Sequence, residues 1–400
     1  MELTQEEKRM LSGEQGTATR KAMEILVALG TIYGADRLLP VTSVQIAGVS
    51  YDNLGEAGLE FLSEMASHGG RARVLTTLNP AGMDVDNWKA LGIDPEFAAQ
   101  QKRVIEAYTG MGILPTCSCT PYLFGNLPHF GEHIAWAESS AVCYANSVLG
   151  ARTNREGGPS ALAASLTGKT PHYGMHLSEN RQPTLAIRVV TRLEGTRDFG
   201  ALGIVLGRLI ESRRVKVIPL IRGITRASLE ELKSFCASIA TYGGLALFHM
   251  EGITPESVLY SVPDNTLAIT RDNIEDAIRS FEEPASNDEV DFVNLGCPHL
   301  SLQEIGRASE LLKGKKVTRT LWITTARPTK RMADQLGYTS VIEAAGGVIA
   351  ADTCCVVAPI QGYFKVMATD SAKACYYGAS KHGLKTRLVS FEAAIEEALK

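Results

Sequence analysis

Five of the eight cysteines sit in three short segments, and each segment closes an apolar run. Cys117 and Cys119 lie in Pro115-Thr116-Cys117-Ser118-Cys119-Thr120-Pro121, after residues 111–114, which read as a short buried strand. Cys297 lies in Leu295-Gly296-Cys297-Pro298-His299, after the apolar Phe292 and Val293. Cys354 and Cys355 lie in Asp352-Thr353-Cys354-Cys355, after residues 348–351. Thiols at strand ends suit a shaped site better than a core. Structural zinc takes four ligands, often from tight C-x-x-C pairs, and the sequence has no such pair. Iron–sulfur clusters take thiolates, and a cubane held by only three keeps one iron open. An open iron is a Lewis acid that can hold a hydroxyl and a carboxylate and make the hydroxyl a better leaving group. One thiol from each segment is therefore expected to converge on a single cluster that dehydrates a hydroxy acid, with a base to take the proton from the neighbouring carbon.

Other strand ends bring polar groups that could serve such a site. Residues 134–137 lead into Glu138, Ser139 and Ser140 at a helix start. A carboxylate there should be partly buried, hence paired or raised in pKa, which suits acid–base work; it could also simply cap the helix. The turn Ala47-Gly48-Val49-Ser50 opens from a strand at residues 44–46 into a helix, where N–H groups and the dipole favour an anion. A strand over 71–78 brings Asn79 and Pro80 to the same edge. Arg152 and Arg155, beside Gly157 and Gly158, suit bidentate capture of a carboxylate or phosphate, or form a solvated turn. His249 ends another strand and reads as a ligand, a base or a hydrogen-bonded structural residue. Cys297 stands just ahead of a helix capped by Ser301 and Glu304, whose positive end should favour a thiolate.

Strands and helices alternate along the chain, which implies an α/β fold of mostly parallel sheets with sites at the strands' C-terminal ends. Thr4 with Glu7 forms a capping box, and Asp94 caps a helix that Pro95 starts. Residues 185–190, a helix over 198–212 and residues 215–221 form a β-α-β unit, followed by a helix from Ser228 and a strand over 245–248. Cys236 falls on the apolar face of that helix beside Leu232, Phe235 and Ile239, and Cys143 and Cys375 also read as packing residues. The best internal linker is residues 284–288. Three α/β domains are expected, over residues 1–150, 151–285 and 286–400. The first carries the first cysteine segment, and the third carries the other two.

With 45% hydrophobic residues among 400, the chain can bury a large core. A formal charge of -4, from 40 basic and 44 acidic residues, argues against a nucleic-acid or membrane-surface role. The acidic, helix-like start from Met1 to Glu7 has no secretory pattern, and apolar runs stop well short of a bilayer span, so a cytoplasmic location is expected. No disulfide framework is expected. No G-x-G-x-x-G follows a strand with an acid on the next, which argues against a dinucleotide oxidoreductase.

Several longer segments carry a family resemblance: AGVSYDNLG from Ala47, TLNPAGMD from Thr77, CTPYL from Cys119, FHMEGITPE from Phe248, GCPHLSLQE from Gly296, DTCCVVAPI from Asp352, and the long run from Ala137 to Arg181. Through these, nearly the whole chain resembles the aconitase X family. The resemblance implies an iron–sulfur hydro-lyase of aconitase-like, multi-domain architecture lacking the small swivelling domain. It carries the cluster ligands onto Cys119, Cys297 and Cys354, with a 4Fe-4S cluster implied ahead of 2Fe-2S, and with Cys117 and Cys355 as near neighbours. It carries substrate contacts onto Gly48, Val49, Ser50, Asn79, Pro80, Glu138, Ser139 and Lys373, with Glu138 and Ser139 as catalytic groups. Ser50, Lys373 or Arg155 would hold phosphate or carboxylate. The implied reaction is dehydration of (R)-5-phosphomevalonate to trans-anhydromevalonate 5-phosphate in a modified mevalonate route to isoprenoids. Related enzymes draw a serine base from a mobile small domain. The chain ends at Lys400, soon after the third cysteine segment, so a separate small subunit is expected to complete a heterodimer. The competing readings are dehydration of cis-3-hydroxy-L-proline within the same family, and a non-catalytic α/β interaction subunit whose cysteines are merely buried.

Overall fold

Three parallel sheets organise the computed structural model, which describes residues 1–211, 217–282 and 288–400. Residues 284–287 of the expected linker and the boundary at 285 lie outside the described residues, as do residues 212, 215 and 216 at the ends of an expected helix and strand. In the first sheet Ser43–Ile46 is the middle strand, between Leu75–Leu78 and Ala135–Trp136. The second runs His249–Met250, Pro219–Arg222, Leu185–Val189, Thr266–Ile269. The third runs Val348–Ala351, Thr320–Thr325, Phe292–Leu300, Val366–Thr369, Lys385–Leu388. The strands Ser43–Ile46, Phe292–Leu300 and Val366–Thr369 are buried on both faces, as parallel strands covered by helices are.

The expected strand over 111–114 shrinks to one parallel bridge between Leu114 and Thr77. Met111 closes the helix Pro95–Gly110, and Gly112 turns the chain at φ 79°, so the run is spent on a helix end and a turn. Capping boxes at Thr4/Glu7, Ser228/Glu231 and Ser301/Glu304 form as the sequence implies. A short antiparallel pair, Leu38–Pro40 with Lys169–Pro171, closes the first layer beside the helix Gly158–Thr167. In the second unit, the helices Gly195–Glu211 and Leu229–Tyr242 pack closely because Gly203 has no side chain; a Cβ there would meet Ser238 Cβ at 2.5 Å. Cys236 is buried in that core with Phe235, Ile239 and Cys143.

The first and third units are joined in two ways. Met83, Leu91, Ile93 and Ala98 share an apolar cluster with Phe292, Trp322 and Met367. Beside it the Arg327 guanidinium is ringed by Asp84, Asp86 and Asp352. Asp84 Oδ2 also accepts the Ala351 N–H at 2.8 Å, and the Asp352 carbonyl accepts the Ala81 N–H at 2.7 Å. Each sheet runs its strands outward from a middle strand in both directions, so each has a switch point where consecutive loops part and leave a crevice. The loops at the C-terminal ends of the first and third sheets meet, which brings two such crevices together.

Candidate active site

The first cysteine segment is pinned to the end of its sheet. Ser118 N–H donates to the Leu78 carbonyl at 2.9 Å, and Gln45 Nε2 donates to the Ser118 carbonyl at 3.0 Å. In the third sheet Cys297 sits where the strand Phe292–Leu300 slips register, between Leu295 and Leu300. Gly296 is essential to that slip: its φ is 119°, and a Cβ would stand 2.2 Å from the Thr324 carbonyl oxygen. Cys354 follows the edge strand Val348–Ala351. Among the described residues only two non-glycines take a positive φ, Cys117 at 44° and Asp352 at 64°, and both lie within these segments. Left-handed backbone at non-glycine residues is costly and concentrates at functional sites.

Cys119, Cys297 and Cys354 are all buried and close enough for their charges to interact. Burial, then Glu138 and Cys354, push the Cys119 thiol up to about 12. Burial, then Cys354, push Cys297 far above the ordinary thiol range, and burial raises Cys354. Cys297 stands just ahead of the capped helix Leu302–Leu312, as the sequence implies, with its sulfur buried. Cys117 packs into the first core, and Cys355 into the apolar cluster with Phe292. Among the described residues no three His, Cys, Asp or Glu side chains are grouped as ligands of a single metal ion. The donor set nonetheless fits a cluster, because thiolates on separate irons of a cubane stand wider apart than ligands of one ion. Cys119 Sγ already accepts a backbone N–H, from His299 at 3.3 Å, and beside Cys354 the buried Thr353 Oγ1 has no partner.

Next to the thiols is a cavity of about 240 Å³ whose lining includes Gly48, Asn79, Glu138, Ser139, Arg155 and Lys373. Glu138 caps the helix Ser139–Tyr144, accepting from Ala141 N–H at 2.7 Å and Ser140 Oγ at 2.5 Å, and it is ion-paired with Lys373. Burial pushes its pKa up, but the Lys373 ammonium and these hydrogen bonds outweigh that and hold the carboxyl below its usual range. Burial lowers Lys373, and Glu138 more than reverses it, so the ammonium stays charged. Lys373 occupies the first turn of the helix Ala372–His382, the end where the dipole disfavours a cation; Glu138 offsets that cost. Ser139 Oγ lies 3.4 Å from Glu138 Oε1 and 3.5 Å from Lys373 Nζ. Asn79 Oδ1 is buried without a partner.

Not every residue carried over by resemblance reaches the cavity. Val49, Ser50 and Pro80 lie buried behind its wall. Ser50 Oγ donates to the Val357 carbonyl at 3.0 Å, and the Tyr51 N–H at the same helix start is taken by Gln101 Oε1 at 3.0 Å. Arg152 bonds the His176 carbonyl and Ser178, whereas Arg155 is exposed and makes no ion pair among the described residues. His249 is structural: it is fully buried, with Nε2 2.7 Å from the Arg181 carbonyl. Sequence reasoning misses Asn53, Tyr377 and Lys381 in the cavity lining, and it misses His299. Lys373, Tyr377 and Lys381 recur every fourth residue on one helix, and that spacing is a legible signal. Burial lowers His299 to about 4, so its ring is neutral.

Family models of aconitase X match the chain along its length, the first domain over residues 1–179, the second over 183–279 and the third over 290–400. The chain belongs to the aconitase X family. An aconitase X structure from Thermococcus kodakaraensis, described as the holo-form, superposes with a TM-score of 0.92 at 45% identity, covering 100% of both chains. The phosphomevalonate dehydratase large subunit of Methanothermobacter thermautotrophicus is 47% identical over 96% of this chain and 95% of its own length. Cis-3-hydroxy-L-proline dehydratase of Hypocrea jecorina is 33% identical over 100% of this chain but only 68% of its own length. The aconitase-like α/β architecture of parallel sheets expected from the resemblance is thus the one found. No helix among the described residues is long and apolar enough to cross a membrane.

Proposed function

We propose that this aconitase X chain is the large subunit of a cytoplasmic hydro-lyase that dehydrates (R)-5-phosphomevalonate to trans-anhydromevalonate 5-phosphate. The observation that carries this reading is near-complete mutual coverage, at 47% identity, with a relative named for that activity. The hydroxyproline dehydratase relative is more distant and is matched over only 68% of its length, which favours the phosphorylated substrate and a separate small subunit.

Cys119, Cys297 and Cys354 would hold the iron–sulfur cluster, 4Fe-4S on the three-thiolate reading. When bound it supplies an open Lewis-acidic iron for the substrate's carboxylate and tertiary hydroxyl. The chain's own groups bind and orient the substrate. The charged Lys373, fixed by Glu138, offers an ammonium to the carboxylate, whose charge grows as the neighbouring C–H proton departs. Glu138 stays ionised and so accepts hydrogen bonds, orienting Ser139 and Lys373 towards the cavity. Gly48 and Asn79 also line the cavity, and Asn79 Oδ1 is a buried acceptor without a protein partner. Arg155 is the unpaired cation of the cavity among the described residues, whereas Lys381 is shared with Asp52 at 2.9 Å, so phosphate falls to Arg155. The proton leaves to a base on the small subunit, a serine by the family resemblance.

The test is to purify the chain anaerobically, alone and with its small subunit, and assay both substrates. Turnover of (R)-5-phosphomevalonate only by the pair, with iron and sulfide retained in this chain, is the expected result. Full turnover by the chain alone, or preference for cis-3-hydroxy-L-proline, would overturn the reading. Absence of iron and sulfide would favour an interaction subunit.

A further inference from the structure

His299 reaches all three cysteine segments at once. It lies two residues after Cys297, its N–H donates to Cys119 Sγ at 3.3 Å, and its ring is completely buried. Nδ1 is 2.9 Å from Ser118 Oγ, in the first segment between Cys117 and Cys119. Nε2 is 2.9 Å from the carbonyl of Thr353, the residue before Cys354. A carbonyl oxygen can only accept, so Nε2 carries the ring proton and Nδ1 is a bare lone pair. Because Nδ1 has no proton, the Ser118 hydroxyl is the donor in that contact, and its oxygen can accept from the Thr120 N–H and the Thr120 hydroxyl, each at 3.2 Å. The carbonyl of His299 is held in turn by Lys233 Nζ at 2.8 Å, and Lys233 is ion-paired with Glu304 at 2.5 Å. Each direction of the imidazole is thus fixed, and each contact falls on or beside a proposed cluster ligand.

We propose that His299 is the positioning residue that sets the spacing of Cys119, Cys297 and Cys354 around the iron–sulfur cluster. Resting as it does on those three being the ligands, the proposal gives His299 no contact with substrate. No other side chain type of this size offers a donor and an acceptor on opposite edges of one rigid ring. Outer hydrogen bonds of this kind commonly change metal affinity by about 10- to 100-fold when removed.

The test compares His299→Leu, Ser118→Ala and Cys297→Ala with the unaltered chain, each purified anaerobically. The readouts are iron and sulfide content, the rate of iron loss to a chelator, and the electron paramagnetic resonance spectrum of the reduced protein. His299→Leu and Ser118→Ala should fold, as judged by circular dichroism, lose iron about tenfold faster or more, and give an altered spectrum. A merely structural role for the ring would leave the spectrum of the folded variant unchanged. If His299→Leu does not fold, Ser118→Ala decides, since it removes one of the ring's contacts and keeps the ring. Unaltered release rates and spectra in the folded variants, alongside loss of iron from Cys297→Ala, would overturn the role of His299 and leave the ligand assignment standing. Full iron and sulfide in Cys297→Ala would instead overturn the ligand assignment and this proposal with it.

Discussion

Lys373 and Glu138 form an ion pair across the gap between the third and first sheets, both nearly out of contact with solvent. The pair closes the floor of the cavity and fastens one strand-end loop to another that lies 235 residues away in sequence. Removing either partner leaves the other charge buried without compensation, at a cost of about 3–5 kcal/mol. Lys373→Met and Glu138→Gln should each destabilise by about that amount, whereas the double variant should lose less than either alone. Urea unfolding of the cluster-free chain at pH 7 measures this. Additive losses in the double variant would show that the two groups are not coupled.

Arg155 should act on substrate and hardly at all on folding. Its guanidinium is exposed and unpaired among the described residues, so Arg155→Gln should leave the melting temperature unchanged. A charged hydrogen bond lost from phosphate is worth about 1.5–3 kcal/mol, so KM for the phosphorylated substrate should rise about tenfold or more. Steady-state kinetics of the two-subunit enzyme measure it. An unchanged KM would move the phosphate elsewhere in the cavity.

His176 should make the chain acid-sensitive. Burial first, then the nearby His133 and arginines, push its pKa down to about 3. In the unfolded chain it titrates near the ordinary value of about 6.5. The unfolded state therefore binds the proton first. Stability is full above that value and is lost as pH falls from about 6.5 towards 3, by about 2 kcal/mol at pH 5 for this residue. Unfolding free energies at pH 7.5 and 5.0 should differ by about that much more in the natural chain than in His176→Gln. Equal pH dependence in the two would refute it.

Much of the frame is legible in the sequence, because alternating short apolar strands and capped helices permit few arrangements other than parallel sheets. The strand ends at Ala47, Asn79 and Glu138 follow from that alternation, whereas Lys373 is reached only through the family resemblance. The meeting of the first and third sheets is not legible there, since it depends on contacts such as Arg327 with Asp84 that no local pattern announces. The run at 111–114 misleads because apolar residues also finish helices, and Gly112 decides between the two. At the helix start beside Ser50, Gln101 from another helix takes the Tyr51 N–H, a contact that no local pattern announces. His299 is visible beside Cys297, but its three directions of bonding depend on segments far apart in the chain.

The seam between the first and third units also has a consequence for biosynthesis. The first unit leaves the ribosome with Glu138 lacking its ammonium, Asp84 its guanidinium and the Ser118 hydroxyl its imidazole, because Lys373, Arg327 and His299 are all translated later. Until the last strands emerge, that edge must stay hydrated and open. Whatever order the units fold in, the docking of the first on the third therefore waits until the residues around Lys373 have emerged.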